Sequence, residues 1–342
     1  MTKGIFAIVL AALVFALLPP AEAQEKKVIK IGIIGLDTSH VPAFTALFND
    51  PKAEGDLAGF KVVAGFPGGS SDVFDSYSRV EKFTKQIEKD YGVEIVKSID
   101  ELVQKVDVVL IESVDGRPHL AQAMPVFKAG KKVFIDKPLG GSLADVLMIF
   151  ALAQKHKTPV FSSSSLRYAT NIRAAKSDPK LGGKVLGCIS YSPCTLEPHH
   201  PDLFWYGVHG VESLYTIMGP GCKSVSRTHS KDADIATGLW TDGRIGTYRG
   251  LRTGSKAYGN VIFGDKGDVS TTGAVGGYKP LVIEIAKFFR SGEAPVSAEE
   301  TTEIFAFMEA ADESKRQNGA AVTIESVMQK AREFNMKRPP AK

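Results

Sequence analysis

The sequence predicts an α/β protein: an N-terminal Rossmann-like parallel sheet domain, then an α+β domain with a largely antiparallel sheet. Three observations carry this expectation. Short apolar runs at 29–34, 60–65, 106–111, 132–135 and 160–161 alternate with helix-compatible stretches at 41–48, 78–91, 119–128 and 143–156, the rhythm of βαβ units. Beyond residue 162 the rhythm changes to strands at 185–192, 236–240, 244–251 and 260–264, broken at Asp242-Gly243 and Asp265-Lys266-Gly267, both turn-forming sequences. With 342 residues, the chain is long enough to bury two cores.

Each element has a local reason. Ile29-Lys30-Ile31-Gly32-Ile33-Ile34 is a β-branched run that ends in a turn at Gly35. Val106-Asp107-Val108-Val109-Leu110-Ile111 is a second such strand, and His119 opens a helix that stops at Ala129-Gly130. Val133-Phe134-Ile135 leads into Asp136-Lys137-Pro138. Ser162 to Ser165 form a small-residue joint between the halves, and the apolar pattern resumes at Leu166. The stretch 207–218 reads as a helix with His209 near its start, and 280–290 and 298–317 read as late amphipathic helices.

The first 23 residues have the composition of a cleavable leader. Lys3 precedes an apolar run at 5–18, and Ala21-Glu22-Ala23 supplies a small-residue cleavage site before Gln24. The run is short for a membrane span, so an exported, periplasmic or extracytoplasmic protein without a stable span is expected. The expected organisation is a signal peptide at 1–23, a Rossmann-like domain at 28–161 and an α+β domain at 162–334. Hydrophobic residues at 44% and charged residues at 23% are ordinary for a globular protein. The net charge of +4 is not gathered into a basic stripe, so nucleic acid is not an expected partner. Cys188, Cys194 and Cys222 form no Cys-x-x-Cys and leave at least one thiol unpaired.

A lysine at the carboxyl end of an apolar strand sits where open α/β sheets place their chemistry. The strand order, Asp136-Lys137-Pro138, the serine joint, His209 and the two late helices together resemble the glucose–fructose oxidoreductase/inositol dehydrogenase (Gfo/Idh/MocA) family, over nearly all of residues 28–325. The resemblance implies oxidation or reduction of a sugar, polyol or sugar derivative with NAD or NADP. Lys137 would orient the substrate and relay a proton, and His209 would be the acid/base. It implies cofactor contacts from Gly35, Thr38, Ser39, Ser70, Glu112 and Lys137. Substrate contacts would come from Asp136, Arg167, Tyr168, His200, Asp202, Trp205 and Tyr206, and a homo-oligomer would form through the second domain.

The chain also departs from that pattern. Dinucleotide-binding turns use Gly-x-Gly-x-x-Gly to bring backbone close to the pyrophosphate, whereas Gly35-Leu36-Asp37-Thr38-Ser39-His40 keeps only the first glycine. Asp37 would either repel a phosphate or cap the helix, Thr38 would donate its hydroxyl to a phosphate or cap, and Ser39 would donate its hydroxyl. The second strand ends without its acid, in Gly68-Gly69-Ser70-Ser71-Asp72, either a phosphate nest or a surface turn. Glu112 and Asp115 would bind substrate hydroxyls, orient Lys137 or join a cation site; their spacing matches no metal signature, and no metal is expected. Trp205 stands where the family has an aspartate, either to stack on a sugar or to pack in the core. A sugar lyase or hydratase, or a carbohydrate-binding protein without ordinary dinucleotide binding, is the alternative.

Overall fold

The computed structural model describes residues 28–338; the expected leader lies outside them. The first sheet holds β1 (Ile29–Ile34), β2 (Phe60–Phe66), β3 (Glu94–Ile95), β4 (Val108–Ile111), β5 (Val133–Ile135) and β6 (Val160–Phe161). Its order is β3-β2-β1-β4-β5-β6 with every pair parallel. The connecting helices are α1 (His40–Phe48), α2 (Phe74–Tyr77), α3 (Val80–Tyr91), α4 (Ile99–Lys105), α5 (His119–Lys128) and α6 (Leu143–Lys155). Strand order reverses between β1 and β4, which opens a crevice at the carboxyl ends of those strands.

The second half contributes α7 (Thr170–Lys176), β7 (Val185–Pro193), α8 (Asp202–Trp205), α9 (Val208–Met218), β8 (Cys222–His229), β9 (Ala233–Trp240), β10 (Ile245–Leu251), β11 (Gly259–Gly264) and β12 (Asp268–Thr272). It ends with α10 (Lys279–Ser291), α11 (Ala298–Arg316), β13 (Val322–Thr323) and α12 (Ile324–Lys337). Its sheet, ordered β12-β11-β7-β10-β9-β8-β13, is antiparallel except for the β7–β10 pair. The inner face packs on α9 so closely that a Cβ at Gly210 would lie 2.2 Å from the Tyr248 ring. The outer face leaves Ile189, Ile235, Leu239 and Ile245 exposed.

One element crosses between the halves. The apolar side of α10 (Leu281, Val282, Ile285, Ala286, Phe288, Phe289) is buried in the cluster containing Ile31, Ile33, Leu110 and Phe134 of the first sheet. Arg290 donates to the carbonyls of Asp56 and Ala58, and Lys132 Nζ donates to that of Phe289 at 2.8 Å. The two halves are therefore joined by core packing as well as by the 162–165 crossover. The three cysteines are free and buried. No helix among the described residues is long and apolar enough to cross a membrane.

Candidate active site

The carboxyl ends of β1, β4 and β5 face the start of α9 across a cavity of about 370 Å³. Thr38, Ser39 and His40 follow β1, and Asp136 and Lys137 follow β5, with a cis bond between Lys137 and Pro138. The second half supplies Tyr206, His209, Tyr258 and Tyr278, and Arg79 and Asp75 stand as an ion pair in the lining. Lys137 Nζ lies 5.8 Å from the centre of the Tyr206 ring, and the Tyr206 and Tyr258 hydroxyls are 3.0 Å apart.

His209 is held by the serine joint: its Nδ1 is 2.7 Å from Ser164 Oγ, while Ser163 Oγ donates to Glu212 Oε1 at 2.8 Å. Burial, aided by the charge of Lys137, pushes the His209 imidazole well below its ordinary pKa, so it is neutral at neutral pH. The cavity thus pairs a cationic side chain with a neutral nitrogen base, a combination suited to moving a proton on or off a hydroxyl.

Across the crevice, the loops after β2 and β4 are fastened together. Asp37 is fully buried; its Oδ1 accepts from Val114 N–H at 2.8 Å and its Oδ2 from Ser76 Oγ at 2.6 Å. It therefore neither caps α1 nor faces an open groove. Burial pushes its carboxyl upward. Thr38 takes a capping role instead, its Oγ1 accepting from His40 N–H at 3.2 Å. Ser70 Oγ donates to Asp115 Oδ2 at 2.6 Å, and Arg117 bridges Asp115 to Asp72. Burial works against the Asp115 charge, but hydrogen bonds from His200, Arg117 and Ser70 outweigh it and hold the carboxyl well below the usual range. Gly35 has φ +82°, and a Cβ there would lie 2.1 Å from Ser113 Oγ, so its backbone approaches the β4 extension. These bonds engage Asp37, Ser70 and Asp115 with one another at the place where the sequence offered a phosphate-binding turn.

Glu112, which follows β4, is fully buried behind the cavity, and neither of its carboxylate oxygens has a hydrogen-bond partner. Burial, reinforced by the neighbouring Asp136 charge, pushes its carboxyl well up. Asp136 Oδ1 accepts from Lys137 N–H at 2.8 Å, and its Oδ2 lies 2.7 Å from His40 Nδ1.

Of the residues expected at the site, Thr38, Ser39, Asp136, Lys137, Trp205, Tyr206 and His209 line the cavity. The others are engaged elsewhere. Gly35 packs against Ser113, and Ser70 is bonded to Asp115. Arg167 is tied to Glu212 at 2.5 Å and to Glu300 at 2.8 Å, so it braces α9 against α11 rather than a substrate. The Tyr168 ring sits in the apolar core beside α10. His200 has Nε2 3.0 Å from Asp115 and Nδ1 2.8 Å from Glu197, and thus extends the loop fastening. Asp202 is drawn away by Arg227 at 2.8 Å and Lys315 at 2.6 Å. Trp205, although it lines the cavity, also packs with Val73 and Val114 under the β2 loop. Among the lining residues that escaped the sequence reading, three bear polar rings. His40 registered only as a missing glycine, and Tyr258 and Tyr278 carry no local signal, because they reach the cavity from distant loops.

With this geometry established, comparison with known proteins places the chain. Residues 29–164 match the model of the GFO/IDH/MocA oxidoreductase family with its NAD-binding Rossmann fold. No curated protein matches the chain. Scyllo-inositol dehydrogenase from Lactobacillus casei, solved with bound NAD(H) and scyllo-inositol, is 18% identical, with a TM-score of 0.69 over 87% of this chain and 100% of that one. Myo-inositol 2-dehydrogenase from Lactobacillus plantarum is 17% identical, with a TM-score of 0.70 over 87% and 99%. At such identities the likeness is one of fold. The likeness to the GFO/IDH/MocA oxidoreductase family is thus carried by residues 29–164, the first sheet and its helices.

Proposed function

We propose that the chain is an oxidoreductase acting on a hydroxyl-bearing carbon of a sugar or polyol in the interdomain cavity. The observation that carries this reading is Lys137 and neutral His209 on one cavity, beside a sheet domain that matches this family. The volume of about 370 Å³ lies in the range of small-molecule sites. Lys137 would donate a hydrogen bond to the reacting hydroxyl and stabilise developing negative charge on its oxygen. His209, with one nitrogen fixed by Ser164, would take the hydroxyl proton on the other.

NAD or NADP is the hydride partner that the family implies, and inositol dehydrogenases of the same fold make a polyol the first substrate to try. The alternative is a lyase or hydratase that uses the same proton-transferring pair without a dinucleotide. Calorimetric titration of NAD and NADP, together with hydride transfer in the presence of inositols and aldoses, separates the two. The first reading expects one dinucleotide per chain and its reduction. Asp37→Gly removes the link to Val114 and Ser76 and should tighten dinucleotide binding about 10-fold, at a stability cost of about 1–3 kcal/mol. If neither protein binds a dinucleotide while substrate is still consumed, the second reading stands.

Two further expectations belong to this reading. The exposed outer face of the second sheet, with Ile189, Ile235, Leu239 and Ile245, fits a homo-oligomer interface, and light scattering at micromolar concentration should return a multiple of the chain mass. A monomer would count against it. Export behind the leader is proposed from the sequence of residues 1–23.

A further inference from the structure

We propose that His40, Glu112 and Asp136 form a binding site for a divalent first-row metal ion, Zn2+ or Mn2+, in the floor of the interdomain cavity. The site does not depend on the dinucleotide reading.

The fold brings these residues together. His40 opens α1 after β1, Glu112 follows β4 and Asp136 follows β5; the three strands are neighbours in a parallel sheet, so their carboxyl ends converge. All three side chains are buried, Glu112 and Asp136 completely. His40 Nδ1 lies 2.7 Å from Asp136 Oδ2 and 3.8 Å from Glu112 Oε2, and one ligand atom from each residue falls within a mutual 4.8 Å. The imidazole is stacked on Phe44 at 5.1 Å and met edge-on by Tyr278 at 4.6 Å, which fixes its direction.

The Glu112 oxygens have no hydrogen-bond partner, and the 2.7 Å His40–Asp136 contact is not directed as a hydrogen bond. Buried polar atoms are rarely left so, because each unmade bond costs about 1–3 kcal/mol. Two carboxylates and an imidazole nitrogen are a ligand set for Zn2+ or Mn2+, and the imidazole disfavours Mg2+ and Ca2+. Only a small inward adjustment is needed, since metal–ligand bonds of about 2.0–2.2 Å put neighbouring donors ~3–3.5 Å apart. His40 and Asp136 also line the cavity beside Lys137, so an ion held by them would have a side open to a substrate hydroxyl or carboxylate.

The chief competitor is a proton shared between Glu112 and Asp136. The test titrates Zn2+, Mn2+ and Mg2+ into the metal-stripped, otherwise intact chain and into Glu112→Gln, by calorimetry and thermal shift. Glutamine keeps the size of the side chain and can donate to Asp136, so the shared-proton arrangement is mimicked while an anionic ligand is lost. The site predicts one Zn2+ or Mn2+ per chain, at least about 100-fold weaker binding in Glu112→Gln, and little response to Mg2+. Co2+ loaded into the wild-type chain should give a visible spectrum characteristic of a low-coordinate site with a nitrogen donor, a readout that needs no variant. Equal affinity in wild type and Glu112→Gln, or a wild-type chain that takes up no ion and shows no cobalt spectrum, would overturn the proposal.

Discussion

Replacing Lys137 with alanine is expected to lower turnover by about 1,000-fold, within the span typical for removing a positioned proton-transfer group, with folding unchanged. The fold should tolerate it because the Lys137 contact to Asp136 is made by the backbone N–H, which alanine keeps. Arginine should not restore activity, since a planar guanidinium cannot replace a compact ammonium. The acid side of the pH–rate profile offers an independent check. His209 must be neutral to accept a proton, and its pKa is lowered first by burial and then by the Lys137 charge. Wild-type activity should therefore persist well below the ordinary histidine pKa of about 6.5 and fall only when the imidazole protonates. Without Lys137 the imidazolium is easier to form, so the residual activity should fall away at a higher pH than in wild type. Activity within a few-fold of wild type in Lys137→Ala would remove the lysine from the mechanism.

Arg227→Ala should destabilise the fold by about 3–5 kcal/mol, the range for stripping one partner from a buried ion network. Arg227 is 2% exposed. Its Nε and Nη2 donate to Asp234 Oδ1 at 2.9 and 2.7 Å, its Nη2 donates to Asp202 Oδ2 at 2.8 Å, and its Nη1 pairs with Asp312. The network joins β8 and β9 to α8 and α11, so alanine would leave buried Asp312 without its cation and strip one partner from Asp234 and Asp202, which keep only Arg252, His229 and Lys315. Arg227→Met keeps much of the volume and should recover less than half of the loss, because the missing charge dominates. Urea unfolding followed by far-UV circular dichroism measures both variants. A shift equivalent to less than 1 kcal/mol would show that the carboxylates find other partners.

These residues also show what the sequence could and could not disclose. The parallel half was legible because strands buried on both faces are written as continuous apolar runs such as Val108–Ile111. Strand β8 was not, because Cys-Lys-Ser-Val-Ser-Arg-Thr-His offers few apolar residues, and one of its buried positions is Arg227 itself. Helix α4 was missed despite the Ser98 cap that accepts from Glu101 N–H, because it spans only seven residues. At the site, Lys137 and His209 could be named because strand-end and helix-start positions constrain where side chains emerge. Asp37 could not be read correctly, since its partner Val114 is 77 residues away. His200 and Asp202 looked like ligands for the same reason: adjacent polar residues do not reveal which will be consumed by Asp115 or Arg227.

The packing of α10 onto the first sheet has a consequence for how this protein can be divided. The segment that matches the family model, residues 29–164, shares one of its cores with α10, which lies outside it. Severed after residue 164, it would present Ile31, Ile33, Leu110 and Phe134 without the helix that shares their core, an adhesive apolar surface. Because α10 follows all but the last short strand of the second sheet, the nascent N-terminal domain remains unfinished until most of the chain has been made. Shuffling that domain among relatives would have to carry residues 279–291 with it.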